Sequence, residues 1–114
     1  NGNIVILNNV ITAIVGVTIA EIKEVAVSGT LKENVAKLFN WKNVERGVQV
    51  DSTEEGTTID IFINIKYGLN VPETAKKVQN AVKNAVRIMT DINVTQINVN
   101  VVGLFFAEEN LDSE

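Results

Sequence analysis

The chain contains neither cysteine nor histidine. Without cysteine there is no disulfide framework and no thiol chemistry, and a reducing compartment is compatible with that. Without histidine the commonest general base, the usual zinc ligand and every imidazole-dependent triad are excluded. Aromatic residues make up only 5% of the chain, too few for the rows on which single-stranded nucleic acid stacks. Basic residues number 10 against 14 acidic ones, a net charge of -4, which weighs against general electrostatic capture of nucleic acid. Long apolar runs are missing too. Ile4–Leu7 has no basic region before it, so no signal peptide is read there. The most apolar helical stretch, Val10 to Ile22, is interrupted by Thr12, Gly16, Thr18 and Glu21 and is too short to span a bilayer. The expectation from these features is a soluble domain with no transmembrane segment.

What is present is a core. Hydrophobic residues are 46% of 114, enough for one real core, so a single domain is expected over residues 1–107, followed by an acidic tail, 108–114. Isoleucine and valine dominate, and β-branched residues favour strands. A mixed helix and sheet domain follows.

Along the chain, Ile4–Leu7 reads as a short strand, with Asn8 or Asn9 capping a helix. Ile11, Ile14, Val15, Thr18, Ile22 and Val25 share one face of that helix, and Val10, Val17 and Ile19 lie outside it. Thr12, Gly16 and Ala20 form a row of small residues at four-residue spacing, suited either to the domain's other helix or to self-association between subunits. Val25 to Thr30 fits a helix end, a short strand or a turn; Leu31 to Phe39 fits a short helix with Asn40 to Asn43 as its exit. Val44 to Asp51 and Thr57 to Tyr67 read as a hairpin, the second strand alternating Ile59, Ile61, Ile63, Ile65 with polar residues. Phe62 interrupts the polar face. Pro72 and Glu73 then open a helix with Ala75, Val78, Val82, Ala85, Val86 and Met89 as its core stripe and Thr90-Asp91 at its end. Val94 to Val102 is the last strand. The economical burial of these faces is an α+β two-layer sandwich: a mainly antiparallel sheet with two main helices on one face.

Candidate chemistry is sparse. Ser28, Ser52 and Ser113 have no base partner in view. Asp51, Glu54, Glu55 and Asp60 lie in and beside a turn, where carboxylates are ordinarily solvated rather than enclosed. Gly68 to Pro72 lacks the ending of a phosphate loop, and Pro72 removes an amide where an anion would need one. Gly68 instead supplies a backbone angle at a corner. No cofactor or metal is implied. The best binding candidate is Lys76, Asn80, Lys83 and Arg87, which fall in one sector at about 100° per residue, away from the core stripe. An ordinary solvated face, an acidic protein partner and an anionic membrane surface all fit it. Trp41, in a polar stretch, is a second candidate contact, whereas Tyr67 suits the edge of the core.

Taken together, Gly47-Val48, the alternating strand into Tyr67-Gly68, Val71-Pro72-Glu73, Val78-Gln79, Val82-Lys83, Met89-Thr90 and Val94 to Gly103 resemble the alkaline-shock, general-stress family of Gram-positive bacteria, the alkaline shock protein twenty-three family. The resemblance covers nearly the whole chain. It departs at Asp91, where the family has glycine after Met-Thr, and at Gly29-Thr30, where it has glycine-valine. It implies a non-enzymatic envelope stress response protein, an adaptor or scaffold at the cytoplasmic face of the membrane. Its implied partners are a membrane-anchored protein or a subunit of a fatty acid kinase, with homo-oligomers expected and nucleic acid disfavoured. An RNA- or small-ligand-binding module is the alternative.

Overall fold

The computed structural model describes residues 2–29 and 41–106, with the side chains of residues 2–5, 41 and 43 outside the description. The elements are α1 (Gly2–Ala20), β1 (Val25–Val27), α2 (Trp41–Gly47), β2 (Val48–Thr53), β3 (Gly56–Lys66), α3 (Val71–Thr90) and β4 (Val94–Phe105).

The alternation in β3 organises the molecule. Ile59, Ile61, Ile63 and Ile65 are fully buried on one face. Ile11, Val15 and Ile19 of α1 and Val78, Val82 and Val86 of α3 close over them in one cluster. Both long helices therefore cover the same face, and the α+β sandwich expected from the sequence is the fold. β3 has two edges. On one, β2 pairs antiparallel along Gly56 to Ile61 and β1 pairs antiparallel along Ile63 to Ile65, so the two read as one interrupted strand. At the break Ser28 N donates to Phe62 O at 2.9 Å. A Cβ at Gly47 would stand 2.4 Å from Val27 Cγ1, so the return to the sheet needs a glycine. On the other edge β4 runs parallel to β3 from Thr57 to Lys66, with register shifts after Thr57 and after Ile63. Two of the three pairings are antiparallel, and the longest ladder is parallel, with α3 as the crossover.

Several expectations need correction. Ile4–Leu7 is not a strand; it lies within α1. A four-residue apolar run cannot be told from a buried helical segment by periodicity. Leu7, Ile11, Val15 and Ile19 lie at four-residue spacing and all pack on the core. Ile19 is thus a core residue, and Val25 belongs to β1. Asn8 does not cap a helix: Ser52 Oγ donates to its Oδ1 at 2.7 Å, tying α1 to β2. Val44 to Gly47 belongs to α2, so the hairpin's first strand begins at Val48. Leu31 to Phe39 lies outside the described residues. Met89 is 69% exposed and Thr74 is buried, because the buried stripe of α3 is the strict four-residue row Thr74, Val78, Val82, Val86. β4 continues three residues beyond Val102, to Phe105.

Candidate interaction site

α3 presents the candidate stripe because both its ends are fixed locally. Gly68 turns the chain at φ 96, with nothing within 4 Å of a would-be Cβ, so its role is conformational. Asn70 Oδ1 then accepts from Glu73 N at 2.9 Å, consuming an amide that an anion would otherwise use. At the far end Asp91 N donates to Arg87 O at 2.8 Å, with Asp91 in the left-handed region at φ 61. That backbone explains why a glycine is at home there.

Between these ends, Lys76, Asn80, Lys83 and Arg87 are all exposed, on the side away from Val78, Val82 and Val86. Asn80 and Lys83 meet Gln79 and residues Val94 to Ile97 of β4 around a shallow cleft of about 310 Å³. Gln79 Nε2 donates to Ile97 O at 2.8 Å and fixes the helix to the strand there. Lys76 and Arg87 flank the cleft along the helix without lining it. Among the described residues, Lys76, Lys83 and Arg87 form no ion pair. The neighbouring Lys77 does, to Glu24 at 3.2 Å. The Glu24 carboxylate is held below its ordinary pKa first by its backbone hydrogen bond and then by Lys77.

Trp41 opens α2, and its side chain lies outside the described residues. Thr12 and Gly16 are buried within the single chain and Ala20 is half-buried. Val10 and Val17 are exposed on the outer side of α1. Val17 lines a second shallow groove, of about 380 Å³, shared with Ala85 and Met89 of α3. Tyr67 is exposed and stacks on Phe106, ring centroids 4.9 Å apart. Asp51, Glu54 and Glu55 are exposed around the hairpin turn, and Asp60 accepts from Asn98 Nδ2 at 2.8 Å on the open face of the sheet. Among the described residues no three His, Cys, Asp or Glu groups come together as metal ligands. Sequence reasoning missed the part played by Gln79 and by β4. Strand order decides that juxtaposition, and alternation alone does not report strand order.

The profile of the alkaline shock protein twenty-three family, described as having a cell envelope-related function, matches residues 1–106. The chain belongs to this family. Among its relatives, YqhY of Bacillus subtilis is 31% identical over 106 residues, 92% of this chain and 78% of that protein. Spy1535 of Streptococcus pyogenes serotype M6 is 30% identical over 104 residues, 90% of this chain and 79% of that one. A stress response regulator gls24 homolog of Streptococcus pyogenes serotype M3 is 30% identical over 104 residues, 90% of this chain and 58% of its own length. No solved structure matches. Among the described residues no helix is long and apolar enough to cross a membrane.

Proposed function

We propose that this alkaline-shock-family domain is a non-enzymatic adaptor in the envelope stress response. In this reading it self-associates and docks a membrane-anchored protein at the cytoplasmic face of the membrane. The observation that carries the reading is the outer face of α3: three cations with no ion pair among the described residues, beside a shallow polar cleft, on a chain that is acidic overall. Such a face suits an acidic protein surface, where exposed charge sets encounter rate and orientation more than tightness. The scaffold part is supported by Val10 and Val17, exposed on the outer side of α1 where another copy could bind.

The test is capture from detergent-solubilised Gram-positive membranes, with identification of the protein retained and rebinding of that purified protein across a salt series. The expected result is a membrane-anchored partner whose affinity falls with salt and is lost in the Lys76→Gln, Lys83→Gln, Arg87→Gln triple variant. Rebinding indifferent to both salt and the triple variant would remove α3 as the docking face. Retention of nucleic acid in place of protein would replace the adaptor reading with an RNA-binding one.

A further inference from the structure

Among the described residues, the longest strand of the sheet has one partner. β4 runs for 12 residues without a charged residue or a proline. It pairs with β3 alone among the described residues. The opposite edge of β4 can be followed from one contact. Ile97 O accepts from Gln79 of α3 rather than from β3, so the backbone groups of Ile97 point away from the sheet. By the two-residue period of a strand, those of Val99 and Val101 do the same. Apart from Gln79, no hydrogen bond reaches that edge among the described residues. Edge strands are ordinarily protected by lysine, proline, shortness or a covering element. Among the described residues the protection here is Gln79 at Ile97 and two register shifts, and between the shifts Gln96 to Val101 keeps regular register with Thr58 to Ile63. Beyond it Val102 is 56% and Leu104 is 54% exposed.

We infer that this edge pairs with the same edge of a second copy, antiparallel about a twofold axis, joining two sheets into one. The inference rests on the self-association reading above and places the contact at β4 rather than at Val10 and Val17 of α1. Three observations select a second copy over another strand. The strand itself is uncharged, so the paired backbones set no like charges directly opposite each other, with Lys83 of each copy bordering the edge. Gln96, Asn98 and Asn100 carry amides that both donate and accept, as Gln96 already does to Asn98 at 3.0 Å, so the row can meet its own image. Antiparallel pairing sets the end of each β4 toward the partner's cleft beside Lys83, and the sequence after Phe106 carries Glu108, Glu109, Asp112 and Glu114.

The test is sedimentation velocity on the full chain from nanomolar to high micromolar concentration, with amide hydrogen exchange at Val99 and Val101. The expected wild-type result is a monomer–dimer equilibrium in which those two amides become protected as the dimer forms. Val99→Pro removes an outward amide and leaves the β3 ladder in place. Val102→Lys adds a charge at an exposed position and carries the test should Val99→Pro fail to fold. Each is expected to weaken dimerisation at least about tenfold, with an unchanged far-ultraviolet spectrum. A dimer that survives both substitutions overturns the edge and leaves self-association standing on another surface. A wild-type chain that stays monomeric overturns both. Partner capture by α3 is read separately, so its loss or survival does not enter this result.

Discussion

The two long helices are nearly the same length, 19 and 20 residues, and rest on the same sheet face, yet they are specified differently. α3 has an Asn70 cap, a proline in its first turn, Glu73 near its start, Arg87 near its end and one buried row. Each local signal agrees with the tertiary position. α1 has no acidic residue in its first turn and no basic residue in its last, and is apolar over more than one side. Its position comes from what it packs on, which is the usual source of helical stability in proteins. α3 could thus be placed from sequence almost to the residue, whereas α1 could not.

The dependence of α1 on packing is largest at the core. Ile11→Ala removes a fully buried side chain from the helix that depends on packing and should cost about 3 kcal/mol, read by urea unfolding. A loss under about 1 kcal/mol would mean that α1 is held by something other than this face. Asn70→Ala removes the α3 cap and should cost about 1 kcal/mol, with α3 amides near Glu73 exchanging faster. No change at either readout would show that the cap is dispensable and that α3 too rests on packing. Asp91→Gly should stabilise by roughly 0.5 kcal/mol, because φ 61 costs a side-chain-bearing residue more than glycine. A destabilised variant would assign the Asp91 side chain a contact of its own.

The smallest effect is electrostatic. Glu24 has a lowered folded-state pKa, so its contribution is present above the ordinary carboxylate range and is lost as pH falls through that lowered value. Lys77→Ala should raise the Glu24 pKa only part of the way back, since the backbone hydrogen bond is the larger cause. Titration of Glu24 by NMR reads this directly, and full return to the ordinary value would reverse that ranking.

The same contrast explains which features were legible. The alternation of Ile59 to Ile65 and the corner at Gly68 to Pro72 are local patterns, and local patterns survive in sequence. The alternation marked β3 for burial, but it could not say that β1 and β2 share one of its edges or that β4 takes the other. The Lys76, Asn80, Lys83 and Arg87 sector was visible as helical spacing. Its cleft was not, because Gln79 reaches Ile97 across a distance of 18 residues in sequence. Ile4–Leu7 misled for the opposite reason: its β-branched composition favours a strand, and the packing of α1 overrides that preference.

The interrupted edge strand has a consequence for how this domain can vary. A Cβ at Gly47 would stand only 3.6 Å from Ser28 N, so the excursion between β1 and β2 leaves and rejoins the sheet at nearly one point. Once the two ends of a segment are clamped together by the rest of the fold, each doubling of its length adds only about 0.6 kcal/mol of closure entropy. The sequence between Gly29 and Trp41 can thus change in length while the β3 ladder on either side keeps its register, whereas Val44 and Gly47 pack on the sheet and cannot be exchanged freely. Relatives and engineered versions should differ most there in length and least across Ile59 to Ile65.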